Sequence, residues 1–554
     1  MKYSIAVFLM CCHVALVLCA IHGNFAVFDE VGHLGAGISH WRTKRFTAYR
    51  VNPPLPRMLA TLPLLHDAPE IDWPWVDAPG YRPEWGLGRE LARKTGTDYF
   101  WLVCRARYVG LLWAILAAWI IYRWSSELFG LWGGNLSLAL WCFDPTVIAF
   151  AAVTVPDMPA TAMGLAVWYA FYRHLEKPSW EQAFWVGLLL GVALLTKFTW
   201  LICFPVFVII GWWRGRLSIL YSVFMFILPI LIVNIGYGFE RTCQPLGQFV
   251  FVSRTLSGQE GPTVRQTPPG NRFHGSWPAS VPIPLPADWV EGIDIQRRDF
   301  EGVYPSYLRG EWSEHGWWYY YLYAMAVKMP LGTLLILLTG VLASLVTRGN
   351  RCLLLATPAF CLIVIASCLT GLNGHLRYVL PAWPFLFILA GSWSGCQGRM
   401  RILLCLVLVW VGGRTLLTAP DFLSHFNELV GGSTNGASHL LESNLDWGQD
   451  VYRATRELRR RPDSYAVAFY SFVDPGWLGM PTQLPPLKPQ PGYYALSVNF
   501  VQGAGLYTPD GAGNLRPIPP GAYTYFQRFR PIGRIGTTIL LYHLRAEEIA
   551  EEEE

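Results

Sequence analysis

Eleven runs of apolar residues, most of them close to twenty residues long, constrain this chain more than any other feature. A helix needs about 20 apolar residues to cross the hydrocarbon layer of a membrane. The runs cover residues 4–22, 100–122, 128–143, 158–172, 182–197, 199–213, 217–237, 319–346, 352–370, 376–395 and 402–418. Because lipid offers no hydrogen-bond partner to an exposed backbone, the sequence predicts an α-helical polytopic membrane protein with about eleven spans.

Composition agrees with a membrane protein and excludes other classes. Only 15% of the 554 residues are charged, whereas soluble domains carry about 25%. The net charge of +5 is small for this length and gives no argument for a nucleic-acid partner. Of the 12 cysteines, only Cys243 lies in a large loop, so no disulfide framework is visible. The lipid bilayer is therefore the first partner that the sequence predicts.

Short basic loops orient the predicted spans. By the positive-inside rule these loops face the cytoplasm. They contain Arg123; Arg173 and Lys177; Arg214 and Arg216; Arg348 and Arg351; and Arg399 and Arg401. Two long loops, 23–98 and 238–318, and the region after residue 420 then face outward. We prefer an uncleaved first span to a cleaved signal peptide, because residues 19–22 make no convincing small-residue cleavage site.

The chain becomes polar and mixed after about residue 420. Residues 466–470, 493–498 and 538–542 have the composition of strands, and residues 448–460 that of a helix. We therefore predict a transmembrane unit at 1–420, an outer-face α/β domain at 421–546 and an acidic tail at 547–554. The tail is expected to be disordered.

Two adjacent acids, Asp29 and Glu30, follow the first span. The helix that they open has apolar residues at spacings of three and four, from Val31 to Trp41, which predicts an interfacial helix on the membrane surface. Asp29 would lie at its N-terminus, where backbone N–H groups favour an anion. A helix-capping role for Asp29 is the alternative.

Other ionisable residues fall on the same outward side. They are Arg107, Asp157, Lys197, His375 and Arg377. Such residues at membrane depth are costly and usually mark function. A carboxylate can take a proton from a hydroxyl, while Lys and Arg can hold a phosphate leaving group. The residues therefore favour group transfer from a lipid phosphate.

Each of these residues also has a structural interpretation. Lys197 can extend its ammonium group to the membrane interface, and Asp157 can cap a helix. His375 and Arg377 can form a structural loop pair.

Four motifs in order resemble a known family. They are Asp29-Glu30 with Asn52-Pro53-Pro54-Leu55; Asp144-Pro145 with Val155-Pro156-Asp157-Met158-Pro159-Ala160; Thr196-Lys197-Phe198; and Arg377-Tyr378-Val379-Leu380-Pro381. The set resembles GT-C-type membrane glycosyltransferases of family 39, which include protein O-mannosyltransferases and the lipid A aminoarabinose transferase. One departure is Asn52, where many relatives have His or Lys.

The resemblance implies transfer of one sugar, with inversion, from a polyprenyl-phosphate donor on the non-cytoplasmic side of a bacterial inner membrane. Asp29 would be the general base, Asp157 the second acid and Glu30 a secondary candidate. Lys197 and Arg377 would neutralise the donor phosphate, with His375 and Arg107 as further candidates for this role. Some relatives bind a divalent metal, but no ligand set here is strong enough to assign one.

Several alternatives stay open at this point. The acceptor can be a protein, a lipid or a glycan. A transporter or flippase of a lipid-linked sugar is the leading rival, and it should carry its essential charges along the span interiors. A non-catalytic assembly protein is the third possibility. Residues 444–450 are either an acceptor-binding loop or, as we prefer, a turn before a helix with Trp447 packed.

Overall fold

The computed structural model describes residues 3–72, 78–216, 218–348, 350–368 and 374–553. The helices up to residue 236 are α1 (Ser4–Gly23), α2 (Phe28–Thr43), α3 (Leu55–Thr61), α4 (Glu84–Thr95), α5 (Tyr99–Arg107), α6 (Gly110–Cys142), α7 (Pro145–Ala151), α8 (Asp157–Glu176), α9 (Trp180–Leu194), α10 (Cys203–Trp213) and α11 (Ile219–Gly236). The later helices are α12 (Arg254–Ser257), α13 (Ala287–Glu301), α14 (Tyr320–Lys328), α15 (Leu331–Arg348), α16 (Asn350–Cys368), α17 (Trp383–Ala390), α18 (Gly398–Thr418), α19 (Val451–Leu458), α20 (Val498–Val501) and α21 (Ala546–Glu553).

Several helices are long and apolar enough to cross a membrane. Within the described ranges, four helical segments meet this standard by length and composition: Ser4–Gly23, Glu84–Cys142, Ile219–Gly236 and Gly398–Thr418. Shorter apolar helices cover Trp180–Leu194, Phe198–Trp213, Leu331–Ser344 and Cys352–Cys368. The helical membrane fold agrees with the sequence, and the count of about eleven spans stays a prediction.

Helix α6 reverses direction at Gly130. This residue has φ 77° and ψ 175°, a conformation that L side chains rarely adopt. The hydroxyls of Ser125 and Ser137 lie 2.8 Å apart across the bend. Twelve residues of straight helix would separate them by about 18 Å, so the two halves of α6 pack against each other. The reversal falls at the start of the apolar run 128–143.

Helix α2 corrects the prediction of an interfacial surface helix. It is buried from Glu30 to His40, on its polar as well as its apolar positions. Glycines allow this burial, because a Cβ on Gly35 would lie 2.4 Å from the backbone nitrogen of Gly88 in α4. The backbones of α2 and α4 therefore approach as closely as small residues permit.

The C-terminal region contains a mixed four-stranded sheet. Its order is β3 (Tyr465–Ala468), β4 (Gly492–Ser497), β8 (Ile539–Leu544) and β7 (Gly533–Ile535). The pair β3/β4 is parallel, and β4/β8 and β8/β7 are antiparallel. Two small hairpins pair β1 (Ser306–Leu308) with β2 (Glu311–Ser313) and β5 (Tyr507–Pro509) with β6 (Leu515–Pro517). The division of the chain at residue 420 stays a prediction.

The acidic tail forms a helix where disorder was expected. Helix α21 runs over Ala546–Glu553. Alanine and glutamate are good helix formers, and Glu547 and Glu548 in its first turn interact favourably with the helix dipole.

Candidate active site

A cavity of about 1240 Å³ lies where the two long loops, the helical bundle and the C-terminal region meet. Asp29 of α2, Asp157 of α8, Lys197 and Arg377 all line it. The sequence predicted these four residues to share the outward side. The structure brings them together at one end of the cavity.

The four side chains form a continuous chain of alternating charge. Lys197 Nζ lies 2.7 Å from Asp157 Oδ1, and Asp157 Oδ2 lies 3.7 Å from Arg377 Nη1. Arg377 Nη2 lies 2.8 Å from Asp29 Oδ2. Asp29 is the most accessible member, with 20% of its side chain exposed, whereas Asp157 is 2% exposed. Each cation is therefore held beside the cavity by an acid.

Local structure explains why these charges point inward. Asp157 occupies the first position of α8, after the N-cap residue Pro156, and its side chain accepts a hydrogen bond from Lys197 Nζ. Lys197 lies in extended backbone just after α9, before a 3₁₀ turn at Phe198–Ile202. Only 9% of its side chain is exposed. Lys197 and Asp157 therefore bond to each other rather than to the interface or to the helix end.

Aromatic rings support the two cations. The guanidinium of Arg377 lies 4.4 Å from the ring centre of Trp447, and Lys197 Nζ lies 5.1 Å from that of Tyr378. Such contacts favour a cation at a desolvated site. Trp447 is held there by backbone pairing, because Phe28 donates its N–H to the Trp447 carbonyl at 2.9 Å. The C-terminal region thus contributes directly to the charged end of the cavity.

His375 and Glu442 complete this end of the cavity. His375 Nδ1 lies 2.7 Å from Ser443 Oγ, and its Nε2 lies 3.9 Å from Glu442 Oε2. Burial and the nearby Arg377 and Lys197 keep the pKa of His375 well below its ordinary value. A neutral His375 is a hydrogen-bonding group here rather than a phosphate-binding cation.

Glu30 and Arg107 are placed elsewhere, although both were predicted site residues. They form a two-bond pair at 2.8 and 2.6 Å, with both side chains fully buried. Glu30 also accepts the backbone N–H groups of Val27 and Thr154. Neither residue lines the cavity. The expectation of a catalytic Glu30 and a phosphate-binding Arg107 therefore finds no support in the geometry, because the charge and hydrogen bonds of each side chain are already taken up by the other.

The rest of the cavity lining includes both apolar and polar side chains. The apolar side chains include Ile202, Leu362 and Ile365. The polar and aromatic side chains include Gln296, Asp299, Tyr304, Trp312, Glu314 and Gln502. The charged cluster lies in a cavity that also offers a lipid-like surface and a polar surface.

Sequence reasoning did not assign Glu442 or Trp447 to the site. Residues 444–450, which include Trp447, stood out in the sequence, but the contact of Trp447 with Arg377 and the place of Glu442 in the cavity lining depend on long-range contacts. Asn52 also lines the cavity, as an uncharged residue. Among the described residues, no group of three or more His, Cys, Asp or Glu side chains is arranged to hold a metal ion.

A comparison with protein-family models supports the resemblance that the sequence motifs indicated. Residues 104–237 match the model of the dolichyl-phosphate-mannose-protein mannosyltransferase family. The resemblance to GT-C-type membrane glycosyltransferases is confirmed. The matched segment includes two residues of the charged cluster, Asp157 and Lys197.

Two solved structures are similar over nearly the whole chain. A crystal structure of ArnT from Cupriavidus metallidurans bound to undecaprenyl phosphate is 12% identical, with 99% of each chain covered and a TM-score of 0.48. The apo crystal structure of ArnT from the same organism is 14% identical, with 97% of each chain covered and a TM-score of 0.45. No curated protein matches the chain.

Proposed function

We propose that this protein transfers one sugar, with inversion, from a polyprenyl-phosphate donor to an acceptor hydroxyl. The reaction would take place on the non-cytoplasmic side of a bacterial inner membrane, in a helical domain of about eleven spans. The observation that carries the proposal is the chain of alternating charge from Lys197 to Asp29, set in one cavity beside an apolar surface.

The donor phosphate would bind between Lys197 and Arg377. Both are positive groups held in place before the reaction, which is how enzymes stabilise charge that develops on a leaving group. Within the described part of the chain, the Nε–H of Arg377 is buried without a hydrogen-bond partner. Guanidinium and phosphate form short, strong charge-assisted bonds, so a phosphate oxygen satisfies this group. The apolar lining near Ile202 and Leu362 would contact the polyprenyl chain.

Asp29 would act as the general base. In the free protein its carboxylate is paired with Arg377 at 2.8 Å. A bound donor phosphate competes for the same guanidinium and so releases Asp29 toward the acceptor hydroxyl. Asp157, which contacts both cations, would keep them oriented. Donor binding would thus prepare the base.

The acceptor would enter along the polar part of the cavity. Trp312 from the β1/β2 hairpin donates its indole N–H to the Gln502 carbonyl at 2.8 Å, which joins the second long loop to the C-terminal region. An aromatic ring beside amide and acidic groups suits a polar acceptor. The C-terminal region would therefore help to select the acceptor.

The arrangement supports an enzyme over a transporter. A transporter should carry its essential charges near the bilayer midplane, in broken helices. Here the charged residues line one cavity together with residues of the two long loops and the C-terminal region, which supports a substrate site built from loops.

The test begins with the polyprenyl-phosphate sugar that accumulates in cells lacking the protein. Purified protein in lipid nanodiscs is given this donor and a small hydroxyl acceptor, and release of polyprenyl phosphate is followed by mass spectrometry. Asp29→Asn should remove turnover. Lys197→Met and Arg377→Gln should weaken donor binding by about 10- to 100-fold, since a hydrogen bond to a charged group is worth about 1.5–3 kcal/mol.

Arg105→Gln is the matched control. Arg105 is an exposed arginine of α5 that pairs with Asp67 outside the cavity, so its loss should leave turnover unchanged. Full clearance of the accumulated donor by Asp29→Asn cells would favour transport. The proposal would be refuted if the wild-type protein released no polyprenyl phosphate from the donor that accumulates.

A further inference from the structure

Glu442 is held in an unusual backbone conformation at the edge of the cavity. Its φ is 51°, in the left-handed region that non-glycine residues seldom occupy. The Glu442 N–H donates to Asn499 Oδ1 at 3.0 Å, and the Leu376 N–H donates to Asn444 Oδ1 at 3.0 Å. Such a conformation costs about 1–3 kcal/mol and persists only where neighbours enforce it. These bonds fix the turn of Glu442 against the segment that carries His375 and Arg377.

Glu442 differs from the two predicted catalytic acids in its partners. Asp29 and Asp157 each lie within 3 Å of a cation. Among the described residues, the one basic partner within ion-pair distance of Glu442 is His375, at 3.9 Å. Because His375 is kept neutral, it does not neutralise the carboxylate. Unlike Asp29 and Asp157, Glu442 therefore has no charged partner within ion-pair distance among the residues that the structure describes.

The surroundings of Glu442 set its affinity for that proton. Burial raises its pKa to about 7, Arg377 opposes this rise and the Asp29 carboxylate adds to it. A base works best when its pKa lies near the working pH. The titratable and charged groups that face or couple to Glu442 are Asp29, Tyr320, His375, Arg377 and Tyr470.

We propose that Glu442 is a second acid–base residue of the transfer, which receives the acceptor proton from Asp29. This inference rests on the proposed function. The acceptor oxygen bonds to the anomeric carbon as the bond from that carbon to the phosphate oxygen breaks. The phosphate leaves with the electron pair, held by Lys197 and Arg377. The hydroxyl proton passes to Asp29 and then to Glu442, which begins as a carboxylate and ends as a carboxylic acid. Solvent removes the proton through the open cavity before the next cycle.

The pH dependence of turnover tests this role. With saturating donor, release of polyprenyl phosphate by the wild type should fall as the pH drops through about 7, because protonated Glu442 cannot accept a proton. Glu442→Gln has the same size and should lower the rate about 10²-fold. Its residual rate should lack the inflection near 7. Glu442→Asp should keep an inflection at a reduced rate.

Glu457→Gln is the control, because Glu457 is an exposed acid of α19 that pairs with Arg461. It should leave both the rate and the pH profile unchanged. Wild-type rates and an unchanged inflection in Glu442→Gln would overturn the inference, and so would a low rate that keeps the inflection. Either result leaves the proposed function intact, whereas absence of release by the wild type would defeat both.

Discussion

The neighbouring acids of α2 should respond to substitution in opposite ways. Glu30 is fully buried and accepts four hydrogen bonds, two from Arg107 and two from backbone N–H groups of Val27 and Thr154. In Glu30→Gln, the amide NH₂ would face N–H groups that donate hydrogen bonds to a carboxylate oxygen in the wild type. Loss of one partner from a buried ion pair costs about 3–5 kcal/mol. We expect a loss of this size in the free energy of unfolding.

Chemical unfolding in detergent micelles measures this loss. Arg107→Gln should cost a similar amount, and the double variant Glu30→Gln/Arg107→Gln should cost less than the two single losses together. The difference for residues in direct contact is about 0.5–3 kcal/mol. Asp29→Asn is the matched control one position away. Its side chain is 20% exposed and Arg377 keeps Asp157 as a second carboxylate partner, so Asp29→Asn should lose less free energy of unfolding than Glu30→Gln while losing turnover.

Two results would contradict this reasoning. Wild-type stability in Glu30→Gln would mean that the buried pair contributes little. Wild-type stability combined with lost turnover would restore Glu30 as a participant in the chemistry.

Two further predictions concern stability. Glu442→Gln should raise the free energy of unfolding above pH 7 by up to about 3 kcal/mol, because the folded state there buries a carboxylate whose pKa is about 7 rather than 4.5. The gain should fade as the pH falls from 7 to 4.5, and a pH-independent effect would point to packing instead. Gly130→Ala should cost about 1–3 kcal/mol through backbone strain alone, since no atom lies within 4 Å of the added Cβ. Gly413→Ala, in an equally open position of α18, should instead stabilise the helix by up to about 1 kcal/mol, and equal effects of the two changes would refute the strain argument.

Much of the charged cluster could be anticipated from topology. By the positive-inside rule, basic short loops alternate with turns that are predicted to face outward, and Asp29, Asp157, Lys197 and Arg377 are all predicted to lie on that side. A sequence can therefore place these residues on one face of the membrane without showing which of them touch.

It could not be anticipated in the same way that Asp29 would line the cavity while Glu30 would be buried with Arg107. Adjacent residues of a helix point about 100° apart, so only one of the two can face the cavity. The choice depends on Arg107 of α5, whose position is set by packing of distant segments. The same limit explains the misjudged helix α2. Its apolar stripe was visible, but Gly35 allows α4 to cover positions that the pattern left to solvent.

Sequence reasoning did not identify Glu442 as a site residue, because the orientation of its side chain depends on contacts between distant parts of the chain. The left-handed turn is fixed by Asn499, which follows β4, and by the segment at residues 374–376. No local propensity favours a positive φ at glutamate. Only the assembled fold aims this carboxyl group at the cavity.

These contacts also decide how acceptor recognition can be tested. The region after residue 420 contributes Gln502 to the proposed acceptor surface, but it also supplies Trp447, which lies against Arg377, and Glu442, which lines the cavity. A truncation at residue 420 would therefore remove the support of the charged cluster together with the acceptor surface, and loss of activity would not distinguish the two. Point substitution at Trp312 separates them, because this residue lines the cavity and its indole N–H donates to the Gln502 carbonyl rather than to a residue of the charged cluster. Trp312→Ala should change which acceptor is used while release of polyprenyl phosphate to a small hydroxyl acceptor continues. Equal loss with every acceptor would mean that this wall shapes the site without selecting what enters it.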